Sequence, residues 1–449
     1  MEQTRKKAPL SFPEFYAKES PMPFYVLVTL FVISNMLLVI YFTPEVSERV
    51  YDARRWINTA ILWLCPMYFA LNLILWRMKP WTIAVGVGAI AAVFALWNFL
   101  GQYTELFCTA VAAMLALMAY KRDFKVVLKI FMAAHLATIL IAMAGLKLGY
   151  ALPTYKLGTE DVGVSLGLIY PNHLARLSYI AMTIAWYLWG QKRRVLTTAI
   201  FWTVAVVMWV WVKCRTITIF MVAFPLCWWA TMGLLAWKRS GRAWNALHKV
   251  WNSIMIGMPF VMFVVTYILG KFRVFLDSLS TFGTGLYSML MRFISAGILF
   301  DAFKFPLWGR NIQAEDAPME FINGKIYMAG IIDNSYVYYF ICFGVIVMAL
   351  ALAWLCVANW RAIRSGDHAL LLIAVFMLVY GLIEVVTFQF EHNFMWFYPL
   401  TASALAAEAG KKHQLMPQKG IEGVDGVKEA LVAENAQETL KADDKLDDL

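Results

Sequence analysis

Residues 336–355 read YVYYFICFGVIVMALALAWL, twenty positions without one charged side chain. A helix of that length rises about 30 Å, the thickness of a bilayer's hydrocarbon core. Working outward, comparable stretches lie near 24–43, 57–76, 81–100, 104–120, 126–146, 172–190, 195–213, 217–237, 251–270, 368–387 and 392–408, with 335–358 framing the quoted one. The sequence therefore predicts an all-α fold, a polytopic transmembrane helical bundle of about 12 spans over 24–408. Composition agrees: 61% of the 449 residues are hydrophobic and 15% charged, a balance that a soluble globular domain could not keep in solution.

Basic residues in short loops stay on the cytoplasmic side, so their placement predicts orientation. With Arg5, Lys6 and Lys7 inside, the inner loops carry Arg77, Lys79, Lys121, Arg122, Lys125, Lys192, Arg193, Arg194, Lys238, Arg239, Arg242, Lys249, Arg361 and Arg364. The first outer loop holds Arg49, Arg54 and Arg55, offset by Glu45, Glu48 and Asp52. A multi-pass protein of the cytoplasmic membrane with both termini cytoplasmic is expected. The net charge of +10 is explained by basic loops beside anionic headgroups, so membrane lipid is the expected partner and nucleic acid is not. The first apolar segment is too long and starts too far from Met1 for a cleaved leader. The cytoplasmic N-terminus is assigned to 1–23 and a polar, disordered cytoplasmic tail to 409–449. Six cysteines without CxxC spacing read as small apolar side chains.

Two outer segments interrupt the rhythm of short loops, 147–171 and 271–334. In the second, Phe282, Leu286, Met289, Leu290, Phe293 and Ile294 recur at helical spacing around Arg292, as in an amphipathic helix lying on the membrane. Polar residues gather at the predicted outer helix ends: Asn172, His173 and Arg176; Lys213 and Arg215; Arg292 and Arg310; Asp333 and Asn334; Glu384, Glu391, His392 and Asn393. Ionisable groups at membrane depth are expensive and usually face a cavity or substrate. Each also has an ordinary reading. Lys213 and Arg215 suit headgroup snorkelling, Asp333 and Asn334 are good helix caps, and His173 suits a helix start after Pro171. Nothing structural in the sequence demands Glu384.

Tyr170-Pro171-Asn172-His173-Leu174 and Cys214-Arg215-Thr216 follow one another along the chain. They resemble the Pro-Asn-His/Gln and Ser-Arg-Thr elements of the Wzy-type polysaccharide polymerases of the O-antigen polymerase and ligase superfamily, with Cys214 replacing the serine. The Arg292 segment with Leu307-Trp308-Gly309 is similar to the outer-loop arginine and turn. Asp333-Asn334-Ser335-Tyr336 with Gly344-Val345-Ile346, and Glu384 with Asn393, are similar to the later elements. The resemblance spans roughly residues 150–400.

It implies transfer of a glycan from a polyprenyl-pyrophosphate donor onto a second lipid-linked repeat unit, outside the cytoplasmic membrane. Arg215, Arg292 and Arg176 are then the pyrophosphate-binding candidates. Asp333, Glu384 and His173 are the candidate bases, in that order. Asn172, Asn334, Tyr336 and Asn393 complete the expected pocket. With no Asp-x-Asp element on the predicted outer face, no metal and no cofactor are expected. Companion proteins would be a flippase and a chain-length regulator. The alternatives are an O-antigen ligase, disfavoured by Asp333 where ligases carry a histidine, and a lipid-linked oligosaccharide flippase, disfavoured by the lack of internal repeats.

Overall fold

The computed structural model describes residues 22–75, 104–153, 163–236, 242–279, 284–310, 318–323, 325–329, 333–401 and a few isolated positions. The N-terminal residues 1–21, the tail 409–449 and, but for isolated positions, the predicted span 81–100 lie outside the described residues. The helices are α1 (Met22–Met36), α2 (Pro44–Leu75), α3 (Thr104–Met118), α4 (Phe124–Lys147), α5 (Pro171–Leu188), α6 (Arg194–Val207), α7 (Arg215–Ala236), α8 (Arg242–Lys271), α9 (Arg273–Leu279), α10 (Thr284–Phe303), α11 (Ser335–Ser365) and α12 (His368–Tyr380). An antiparallel hairpin of β1 (Met319–Ile322) and β2 (Lys325–Met328) follows α10. Six stretches among the described residues are long and apolar enough to cross a membrane: Met22–Val39, Phe124–Lys147, Arg194–Val212, Arg215–Leu234, Lys249–Lys271 and Ser335–Ser365. The chain is a mostly helical, multi-pass membrane protein, and six rather than twelve described spans meet that standard.

Four departures from the sequence-based expectation carry physical reasons. Helix α2 starts at Pro44, so Arg49, Arg54 and Arg55 sit on a helix and not in a loop. Arg54 is buried, with its Nη2 3.4 Å from Asn35 Oδ1 of α1. The 271–334 segment is not a helix resting on the membrane: α10 packs into the bundle against α8 and α11, with Leu290, Phe293, Ile294 and Leu299 buried. Helix α12 ends at Tyr380, short of the expected 387. The predicted span 392–408 is not an α-helix over residues 392–401. Two 3₁₀ turns, Phe394–Trp396 and Tyr398–Leu400, run buried beside α11, where Trp354 Nε1 donates to Trp396 O at 2.9 Å and Arg361 Nη1 donates to Pro399 O. Irregular backbone at such depth is tolerable because it is enclosed in protein.

Helix α11 is itself broken. Gly344 has φ 82° and ψ 172°, a conformation outside the helical region. The break separates Val345 N–H from Ile341 O, which a continuous helix would pair. The chain after α10 fills the gap: Val345 N donates to Pro306 O at 2.9 Å, and Arg310 N donates to Ile341 O at 2.8 Å. Gly309 makes the approach possible, since a Cβ there would lie 2.2 Å from Cys342 O. The Leu307-Trp308-Gly309 turn and the Gly344 element, recognised separately in the sequence, form one backbone junction.

A second junction positions the start of α5. Residues 39–43, between α1 and α2, run extended between two strips of the 147–171 segment. Tyr41 N donates to Gly167 O (2.8 Å), Ile169 N to Val39 O (2.9 Å), and Leu152 N to Tyr41 O (2.7 Å). Tyr170 is extended and Pro171 occupies the first helical turn, where its missing N–H costs nothing. Asn172 is thereby presented at the helix mouth.

Candidate functional site

Four sequence-predicted residues from distant parts of the chain meet. Arg292 of α10 donates from Nη2 to Glu384 Oε1 at 3.0 Å, and its Nε lies 3.5 Å from Asp333 Oδ2. Asn172 Nδ2 donates to the same Glu384 oxygen at 3.3 Å. The Arg292 and Glu384 side chains are 11% and 16% exposed, whereas Asp333 is 44% exposed, so the cluster is dry on one side and open on the other. Arg292 Nε forms no completed hydrogen bond.

The turns after α12 hold Glu384 rigidly. Ser335 N donates to Gly381 O (2.9 Å), and Ser335 Oγ donates to Glu384 O (2.6 Å) while accepting from Val386 N and Thr387 N (2.8 and 3.1 Å). Asn334 is the helix cap: its Oδ1 accepts from Tyr336 N and Val337 N, and its Nδ2 donates to Leu382 O at 2.8 Å. Asp333 is therefore released from the capping role. Tyr336 donates to Leu378 O (2.8 Å), and Asn393 bonds Thr387 O (2.6 Å) and Met395 N (3.1 Å). Asn334, Tyr336 and Asn393 thus serve the scaffold around Glu384 rather than the open cluster.

The other candidates divide. Arg176 is buried, its Nε has no hydrogen-bond partner, and its charge acts on Glu384, Tyr380, His173 and His392. His173 packs edge-to-face on Tyr170, with ring centroids 5.5 Å apart and Nδ1 buried without a partner. Arg215 is exposed and lies over the Trp209 ring, 5.9 Å from its centroid. It follows a π-helical turn (Met208–Val212) closed by Lys213 in the left-handed region at φ 57°. Arg176 acts electrostatically on Glu384 of the Arg292 cluster.

Sequence reasoning gave Cys214 a place in a motif but no role at the site, and missed Tyr380 and His135 altogether. Cys214 and Tyr380 are both buried within electrostatic reach of Glu384 and Arg292. His135, deep in the apolar run of α4, stands 3.4 Å from His392. Its Nδ1 lies 2.7 Å from Phe131 O, so Nδ1 carries the proton there and Nε2 accepts from His392 Nδ1. Only their fold-distant partners give these groups meaning, and a residue-by-residue scan holds no such signal. Among the described residues no three His, Cys, Asp or Glu side chains are grouped as ligands for a metal ion. No family model, curated protein or solved structure matches the chain.

Proposed function

We propose that this protein polymerises polyprenyl-pyrophosphate-linked oligosaccharide repeat units at the outer face of the cytoplasmic membrane, as a metal-independent glycosyltransferase. The observation that carries the proposal is Arg292 held between Glu384 and Asp333, with Asn172 on Glu384, inside an apolar helical bundle. These residues lie in the elements that resemble the Wzy-type polymerases. A topology with both termini cytoplasmic and the 271–334 segment reached from outside goes with this reading.

In the proposed reaction the acceptor sugar's hydroxyl oxygen attacks the anomeric carbon of the donor glycan. The bond from that carbon to the pyrophosphate oxygen breaks, and its electron pair leaves with the pyrophosphate. Asp333, the more open carboxylate, takes the hydroxyl proton. Arg292 stabilises the charge growing on the leaving group through its planar fork, and Glu384 with Asn172 fixes the guanidinium's orientation. Arg176 supplies a second, buried positive charge. The products are a lengthened lipid-linked glycan and free polyprenyl pyrophosphate.

The broken helix α11 favours one second reading, a transporter of lipid-linked oligosaccharides, because transporters place interrupted helices at their substrate sites. Purified protein in liposomes, supplied with lipid-linked repeat units on the accessible face, separates the two. The polymerase reading expects a ladder of glycans on gels and a stoichiometric release of polyprenyl pyrophosphate. Movement of unaltered repeat units across the bilayer with no ladder would replace it by the transporter reading.

A further inference from the structure

Three of the six membrane-length stretches end around one cavity. Arg194 opens the stretch Arg194–Val212, Leu234 closes Arg215–Leu234, and Ser365 closes Ser335–Ser365. Beside these ends lies a cavity of about 570 Å³, lined by Lys192, Arg194, Trp228, Met232, Asp367 and Ala369 among others. Small-molecule sites occupy roughly 300–1,000 Å³, so the space suffices for a ligand. A helix long enough to cross the hydrocarbon ends where headgroups begin. The shared ends therefore put the cavity at headgroup level.

Its wall is rich in donors that the protein does not use. Lys192 is exposed and Arg194 half-buried, and among the described residues neither is paired with a carboxylate. Arg194 makes one hydrogen bond, from Nε to Gln191 O at 3.4 Å. Trp228 is 5% exposed, and its Nε1 is buried without a hydrogen-bond partner. A buried donor left unmade is costly, so the indole N–H points to an acceptor that the chain itself does not provide. At the start of α12, His368 N donates to Gly366 O, Leu370 N to Asp367 Oδ1 and Leu371 N to Asp367 O. That leaves the Ala369 amide at the positive end of the helix. The carboxylate in the wall, Asp367, is already engaged by Leu370 N and by the Tyr187 hydroxyl at 2.5 Å. Two cations against one occupied carboxylate leave the cavity net positive.

We propose that this cavity binds the headgroup of an anionic phospholipid of the phosphatidylglycerol type, drawn from the leaflet in which these span ends lie. Lys192 and Arg194 hold the phosphodiester, with the amino end of α12 and the Trp228 indole as further donors. Met232 gives the glycerol backbone an apolar wall. Phosphatidylethanolamine carries an ammonium of its own into a cavity that is already positive, and so binds less tightly. The bound lipid ties the turn before α6 to α7 and α12, whatever reaction the Arg292 cluster performs.

Native mass spectrometry of the full chain in detergent, titrated with phosphatidylglycerol or phosphatidylethanolamine, tests the site. The wild type should bind its first phosphatidylglycerol roughly tenfold or more tightly than its first phosphatidylethanolamine, and Lys192→Gln with Arg194→Gln should remove that preference. Trp228→Phe keeps a ring and removes the N–H, so it should weaken phosphatidylglycerol binding about fivefold. Arg55→Gln, at an exposed arginine of α2 outside the cavity, should behave as wild type. Equal affinity of the wild type for the two lipids, or an equal loss of preference in Arg55→Gln, would overturn the site. Displacement of the bound lipid by glycerol 3-phosphate would overturn it too, by assigning the cavity to a soluble anion. Should Trp228→Phe not fold, the substitutions at the more accessible positions 192 and 194 decide alone.

Discussion

Two arginines in one stretch of chain, Arg273 and Arg292, each stand between two carboxylates, yet the two forks are filled differently. Arg273 is saturated: its Nε and Nη2 make three hydrogen bonds of 2.8–3.0 Å to Glu320, and its Nη1 lies 2.9 Å from Asp301. Arg292 makes one hydrogen bond to Glu384 and faces Asp333 at 3.5 Å with Nε unfilled. The two side chains are similarly enclosed, 15% and 11% exposed, so burial does not explain the difference. A filled fork is a staple between α9, α10 and the hairpin. An under-filled fork beside an open carboxylate keeps donors in hand for a further anion, because buried donors left unpaired are costly unless something completes them.

The contrast breaks most readily at Asp333. A general base contributes about 10²-fold to 10⁴-fold to rate, so Asp333→Asn should lower polymer synthesis by that order while leaving the fold intact, since Asn334 carries the cap. Glycan ladders from the purified variant, read beside its thermal unfolding, decide this. Ladders of wild-type length and rate would take the base role away from Asp333. Next comes the pair of conservative swaps. Arg292→Lys keeps the charge but loses the fork, and losing one charge-assisted hydrogen bond of about 2–3 kcal/mol slows transfer about 30-fold to 150-fold. Arg273→Lys should leave transfer near wild type and instead cost roughly 1–3 kcal/mol of stability in a thermal melt. Equal losses of transfer in both variants would erase the distinction between staple and site.

A smaller effect sharpens the staple side. The Tyr327 hydroxyl, with Asn323 and Lys325, holds the Asp277 carboxyl below its ordinary value of 3.8. A carboxyl depressed in the folded state contributes stability above its unfolded value and loses it as pH falls through the folded value. The stability gap between wild type and Asp277→Asn should therefore be full at neutral pH and close as pH drops below about 3.8. A gap that persists unchanged in acid would show that Asp277 acts by packing alone. The smallest effect is expected at Arg215, exposed over Trp209. There Arg215→Lys should change transfer no more than Arg55→Lys, an exposed arginine of α2, when both are assayed on the same ladders.

The spans were legible because lipid exposure leaves a composition that no other environment tolerates. Residues 336–355 could be read as a helix from their apolar run, but nothing in that run reveals that Gly344 breaks it. The break depends on Pro306 and Arg310 bringing replacement hydrogen-bond partners, and those lie more than thirty positions away. The apolar spacing around Arg292 was read correctly as helical and wrongly as surface-lying, because an amphipathic stripe looks the same whether it meets lipid or other helices. Phe394 to Leu400 misled for another reason. An aromatic run with Pro399 meets the hydropathy of a span, and its real conformation is set by the groove along α11. The Arg292, Glu384, Asp333 and Asn172 meeting was foreshadowed only by the order of motifs, whereas the Arg273 staple carried no motif.

Gly344 also reconciles this helix with the thickness of a bilayer. Unbroken, the 31 residues of α11 would rise about 46 Å, well beyond a hydrocarbon core of roughly 30 Å, and such hydrophobic mismatch is relieved only by tilting or by deforming the lipid. Residues 345–365, which end on the interfacial Arg361 and Arg364, rise roughly 30 Å and come much closer to that thickness. The excess, residues 335–343, is freed to pack Phe340 against Phe263 and Phe300 and to carry Asn334 and Asp333 to the buried glutamate. One glycine thereby divides a single apolar run into a piece measured by the lipid and a piece measured by the protein.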